Sequence, residues 1–354
     1  MSTDSLLLTL LEKDIECNRK TADDYFSEAK AFWDGNGVDQ NYYVAWGKLD
    51  EAFNNGFGAD KRIAGLMAQC YRLGLGQDAN EYMAEMWQAV LDEDIGRIIN
   101  HVTRAFQERK WFELVGWASI GSELGHLGAV DLALFGHIVF AESWLKEGLY
   151  EGVLYHSAAI IRWLLKKGAL LIQTPLRSAD ELKKMKVDSI RRIGKVYYEM
   201  YFDEEEEKPD DCLERALDYF SIAREYRDVC SSAYIVSIQY ENLQVNFGEM
   251  LPKEVREAQN KRKECYTLAQ NLLAGNVESI LDNLDCDSGS KFLGNQILYI
   301  AAYGYLGHGN MPVNINVAHD YIELCDKRGS AGAPELLKRF NEKLFGGWSY
   351  RKPS

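Results

Sequence analysis

Small and apolar residues recur at helical spacing just after the stretch Gly35-Asn36-Gly37-Val38. From Ala45 they fall at Leu49, Ala52 and Gly56, one stripe along a helix. The Gly-x-Gly before them ends the preceding helix, because glycine alone takes positive φ at little cost. The pattern therefore predicts a helix carrying Trp33, a glycine turn and a second helix. This unit returns at Tyr71-Arg72-Leu73-Gly74-Leu75-Gly76, followed by Ala84, Trp87 and Leu91, 39 positions on (74 minus 35). Gly307-His308-Gly309 opens it again before Ala318, Tyr321, Ile322, Cys325 and Gly329, and Ala216, Tyr219, Phe220 and Ala223 repeat the stripe without glycines. Self-similarity at such a period marks an array of helical hairpins. The predicted fold class is all-α, an α-solenoid of stacked antiparallel helix pairs.

The repeat resembles the Sel-one-like family, a relative of the tetratricopeptide repeat. That family's unit reads Ala-x-x-x-Leu-Gly-x-x-Tyr-x-x-Gly-x-Gly-Val-x-x-Asp-x-x-Lys-Ala-x-x-Trp-Tyr-x-x-Ala-Ala-x-x-Gly. Gly35, Gly37, Val38, Ala45, Ala52 and Gly56 match in register, with Asn41 in place of the Asp and Val44 in place of the Lys. Tyr71, Gly74, Gly76, Ala84 and Trp87 match in the second unit, where Gln77 replaces the Val. Ala318, Tyr321 and Gly329 match in the last, after a one-residue insertion. The resemblance covers about residues 22–95 and 295–333 and is faint between them. It implies an adaptor that assembles other proteins, with the first helix of each pair lining a concave face. Gln69 and Arg72 in one repeat, and Tyr299 and Tyr303 in the last, are then the candidate partner-binding residues.

The organisation expected along the chain begins with a capping helix in 1–21, followed by repeats in 22–172. Leu6-Leu7-Leu8-Thr9-Leu10-Leu11 lacks the basic flank and cleavage site of a signal peptide, so it reads as a helix covering the first repeat. No segment reads as membrane-spanning, and the expected location is the cytoplasm. Residues 173–211 hold a long charged helix, started by the capping box Ser178-Ala179-Asp180-Glu181, and an acidic loop. Glu204, Glu205, Glu206 and Glu207 form the centre of that loop, a solvated segment or an acidic finger for a basic partner. Repeats resume in 212–345, with Asp282 to Gly289 read as a polar loop, and 346–354 read as a loose tail.

Charge narrows the partners. A net charge of −14 provides no basic stripe for a phosphate backbone, which argues against nucleic acid. Such a balance serves solubility, or steers a basic protein or peptide toward the chain. The 7 Cys are scattered with no Cys-x-x-Cys, which fits a reducing compartment and buried thiols rather than zinc or a redox pair.

Candidate chemistry is sparse. Gln40, Ala79 and Pro312 stand where a Gly-x-Gly-x-x-Gly phosphate loop needs its last glycine, and Asp285-x-Asp287-x-Gly289 has Gly294 where a calcium loop needs Glu. The six histidines, His101, His126, His137, His156, His308 and His319, are read as forming no ligand-like pair at i, i+4. The expectation is thus no catalytic residue, no cofactor and no metal. Two readings follow: a cytoplasmic scaffold or adaptor, and an immunity or inhibitor protein that masks one basic toxin or effector. An enzyme with an unrecognised site stands third.

Overall fold

The computed structural model describes residues 2–15, 20–172, 176–203, 209–242, 252–343 and 346–352, with only the backbone at 242 and 252–255. These residues fold as an α-solenoid of antiparallel helix pairs, all-α apart from one short hairpin. They form two compact units, Met1–Val196 and Tyr197–Ser354.

The first unit stacks four pairs. They are α2 (Ala22–Asp34) with α3 (Tyr42–Asn54), α4 (Lys61–Leu73) with α5 (Glu81–Leu91), α6 (Ile95–Gln107) with α7 (Trp111–Glu123), and α8 (Leu127–Lys146) with α9 (Tyr150–Ile172). The first two glycine turns repeat the same dihedrals and hydrogen bonds. Gly35 (φ 68°, ψ 33°) and Gly74 (φ 68°, ψ 36°) close α2 and α4 in the left-handed conformation. Six residues on, Asn41 and Asn80 each send a backbone N–H back across the turn, to the Phe32 and Tyr71 carbonyls at 2.9 and 2.8 Å. Their side chains then cap α3 and α5 by accepting from the Val44 and Met83 N–H groups. Asparagine thus fills the helix-capping position in each of these turns.

Where the glycines disappear, the left-handed corner remains. Glu93 (φ 54°) and Arg109 (φ 56°) hold it in the turns before α6 and α7. The core runs through Phe53, Trp87 and Trp117 on α3, α5 and α7, with ring centroids 5.3, 5.7 and 5.0 Å apart.

Two expectations change here. First, α1 (Thr3–Asp14), with Leu7 and Leu11 buried, takes α9 as its principal neighbour in place of the first repeat. Second, α8 is long and apolar enough, by length and composition, to cross a membrane. It packs between α7 and α9 with Ala133, Leu134, His137 and Phe140 buried, as a core helix does. The expected capping box forms: Ser178 and Glu181 exchange side-chain and backbone bonds at the start of α10 (Ala179–Phe202). The unit boundary falls within α10.

The second unit comprises α11 (Cys212–Glu225), α12 (Val229–Asn242), α13 (Pro252–Leu272), α14 (Val277–Ser288), α15 (Phe292–Tyr305), a 3-10 turn at His308–Asn310, α16 (Ile315–Lys327) and α17 (Ala333–Leu337). Asn314 repeats the turn, with its N–H on the Tyr305 carbonyl at 2.8 Å and its side chain capping α16. The polar loop expected at Asp282 to Gly289 is instead the last half of α14. Asn276 caps that helix, Leu281 and Leu284 bury one stripe of it, and Gly289 ends it at φ 70°. The tail is not wholly loose either. Strands β1 (Phe340–Glu342) and β2 (Trp348–Tyr350) pair antiparallel, Phe340 opposite Tyr350. Stacking of Trp348 on His319, 3.7 Å between ring centroids, anchors the hairpin to α16.

Candidate binding clefts

A cleft of about 760 Å³ opens in the second unit beside α15. Its floor is a single helical stripe: Phe292, Asn295, Gln296, Tyr299, Ile300 and Tyr303 lie at i, i+3, i+4, i+7, i+8 and i+11. The opposite stripe, including Leu293, Ile297, Leu298 and Ala301, is buried in the core. One helix thus presents a fully packed apolar stripe and a second, mixed aromatic and amide stripe that packing covers only in part. Tyr240 on α12 and the segment Gly329 to Arg339 form the walls.

The polar groups of the cleft are braced. Asn295 accepts from Arg328 at 2.8 Å, and that guanidinium also holds Asp285 at 2.6 Å. Gln296 is fixed between Ser237 at 2.6 Å and Glu241 at 3.0 Å. Ser330 donates to the Tyr299 hydroxyl at 3.1 Å, and the Tyr299 and Tyr303 rings stack with centroids 6.4 Å apart. Burial pushes both phenols above their usual pKa, so they are neutral donors at physiological pH. At the rim Glu335 pairs with Lys338, and Phe292 is 65% exposed.

A second cleft, about 600 Å³, lies in the first unit. The end of α3 and the residues after it supply Phe53, Asn54 and Phe57, α7 supplies Ser119 and Glu123, and α9 supplies Tyr155, Arg162, Trp163 and Lys166. Its charges are already paired, Lys61 with Glu93 at 2.6 Å and Lys166 with Glu123 at 2.9 Å. Its chemistry is committed to the fold as well. His137 and the buried His156 share a hydrogen bond between their Nδ1 atoms at 2.7 Å, and the Ser119 hydroxyl donates to the Val115 carbonyl at 2.8 Å.

Of the residues singled out in the sequence, Tyr299 and Tyr303 come together in the α15 cleft. Gln69 and Arg72 are exposed on α4 and line neither cleft. The first-unit cleft draws on second helices of pairs (α3, α7 and α9). Glu204, Glu205, Glu206 and Glu207 lie outside the described residues. Phe292, Tyr240 and Arg339 were missed. Phe292 carried a signal, seven residues before Tyr299 on the same stripe, while Tyr240 and Arg339 reach the cleft only through tertiary packing.

The chain matches no protein-family model and no curated protein. Four solved chains match its structure. One is a protective antigen present in uropathogenic Escherichia coli strains and displaying an SLR fold, 12% identical over 89% of this chain and 71% of that one, with a TM-score of 0.25. The helical-repeat assignment rests on the pairs and turns described above.

Proposed function

We propose that this chain is a non-enzymatic helical-repeat scaffold or adaptor that docks a protein or peptide on the α15 cleft. The observation that carries the reading is the unconsumed aromatic stripe Phe292, Tyr299, Tyr303. Tyrosine presents a large rigid surface with a polar tip and loses little side-chain entropy on binding, which is why it is enriched at interfaces. The amide and hydroxyl groups around it are held in place before any partner arrives, which lowers the cost of association. The charge of −14 favours a basic partner, whose encounter it would accelerate. Gln69, Arg72 and Glu204 to Glu207 are proposed as outlying contacts. A cytoplasmic setting fits the free thiols of Cys70, Cys265, Cys286 and Cys325.

The test is capture from the native organism on the tagged full chain and on Tyr299→Ala/Tyr303→Ala. Loss of two central aromatics should weaken capture at least about tenfold. Undiminished capture by the double variant refutes the cleft as the docking site. A second reading, an inhibitor of one basic toxin or effector, is favoured by the acidic balance alone. It predicts a single equimolar basic partner released at high salt, whereas an adaptor holds several partners more weakly.

A further inference from the structure

On α16, one turn of helix brings His319, Asp320 and Glu323 together. One ligand atom of each lies within 4.8 Å of the others. His319 is 8% exposed, and its Nδ1 is buried with no hydrogen-bond partner. A buried ring nitrogen left unsatisfied calls for an explanation, because it has given up water and gained nothing. The carboxylates beside it are accessible, with the Asp320 side chain 69% and the Glu323 side chain 44% exposed.

The geometry points to a divalent transition-metal site of the zinc class, formed by His319 Nδ1, Asp320 and Glu323. The Asp320 Oδ1 lies 3.6 Å from His319 Nδ1, too far for a hydrogen bond. Two N/O ligands bound tetrahedrally at zinc distances stand about 3.4 Å apart, so this separation fits a shared ion. Residues at i and i+4 share a helix face, which sets Glu323 over His319. Lys327 occupies the Glu323 Oε1 at 2.8 Å and leaves the second oxygen of that carboxylate to the ion. Imidazole nitrogen with two carboxylates suits zinc, nickel or cobalt better than magnesium or calcium, which prefer oxygen alone. Two carboxylate charges balance the ion, and water completes the fourth position on the open side. The imidazole is stacked on Trp348 and meets the edge of Phe340, 5.3 Å between centroids. A bound ion therefore fixes the ring on which the terminal hairpin rests.

The experiment is calorimetric titration of the full chain with Zn²⁺, and separately with Mg²⁺, against two variants. His319→Gln removes the nitrogen, and Asp320→Asn/Glu323→Gln removes the accessible carboxylates without touching the core. One Zn²⁺ equivalent in the wild type, weakened at least about tenfold in each variant and without an equal Mg²⁺ isotherm, is the expected result. Should His319→Gln fail to fold, the carboxylate variant decides alone. Zinc titrations indistinguishable between wild type and that variant, Mg²⁺ binding as tight as Zn²⁺, or no zinc heat at all would each overturn the site.

Discussion

Gly37 and Gly76 occupy the same place in successive repeats, with φ of 77° and 79°, yet their substitution by alanine should differ sharply. Left-handed backbone costs an L-residue about 1–2 kcal/mol. About 0.4–1 kcal/mol of that is recovered because alanine stiffens the unfolded chain. Gly37 faces open space, with nothing within 4 Å of an added Cβ, so Gly37→Ala should lose roughly 1 kcal/mol. A Cβ on Gly76 would stand 2.1 Å from the Tyr42 carbonyl oxygen and 2.9 Å from the Trp46 Cβ. This is where the turn of one repeat rests on the second helix of the repeat before it. Backbone cannot swing aside as a side-chain tip can, so overpacking adds about 1–3 kcal/mol, at the upper end of that range. The expected gap is about 3 kcal/mol, which at ordinary urea dependence separates the two midpoints by roughly 1 M or more. Tryptophan fluorescence reads the right unit, since all of the 8 Trp except Trp348 precede residue 197. Equal midpoints for the two variants would refute the claim that repeats stack through this contact.

Arg109→Gly relieves a left-handed arginine at φ 56° and should raise the urea midpoint by the equivalent of about 1 kcal/mol; a lower midpoint contradicts the strain. Burial pushes the His101 and His156 imidazoles down to about 4 from 6.5, so both are neutral when folded and take up a proton on unfolding below about pH 6.5. The first unit should hold full stability above that pH and lose it progressively toward pH 4, on the order of 3 kcal/mol per histidine. A urea midpoint unchanged between pH 7.5 and about 5 would sink the argument. Burial also pushes the Cys70, Cys265 and Cys325 thiols up to about 12, while Cys286 is exposed. In a Cys17→Ser background at mildly alkaline pH a thiol reagent should label Cys286 promptly and leave those three; rapid labelling of any of them means the core opens.

The repeats at 22–95 and 307–329 were legible because their geometry depends on residues with few substitutes. A left-handed corner at Gly35 or Gly74 and an asparagine cap six residues later form a local code, complete within one turn. In the third pair the corner is held by Arg109, and in the turn leading into that pair Glu93 stands where Gly56 stands one repeat earlier, residues whose sequence signature is indistinguishable from any charged loop. The α14 helix was hidden for the opposite reason. Asp282, Asp285 and Asp287 lower local helix propensity, but burial of Leu281 and Leu284 and the Arg328 contact to Asp285 override it. The hairpin at 340–350 likewise depends on a partner distant in sequence, the His319 ring.

The α15 cleft marks a deeper limit of pattern reading. Apolar residues run almost all round this helix, and periodicity identifies such a helix as buried. It cannot say which of two apolar stripes a neighbour will cover. Tyr299 and Tyr303 have the spacing of core residues and in part the burial of core residues, and what separates them from Ile297 and Ala301 is only that α12 and the segment after α16 stop short of closing over them. The docking surface proposed here is defined by where packing ends. The residues that end it here, Gly329 and Gly332, have no side chain with which to fill the gap. Gly332 makes the point in the structure: a Cβ there would come within 3.3 Å of the Tyr299 hydroxyl. A larger side chain would therefore begin to close the cleft from its wall, leaving every helix and every repeat turn as it is.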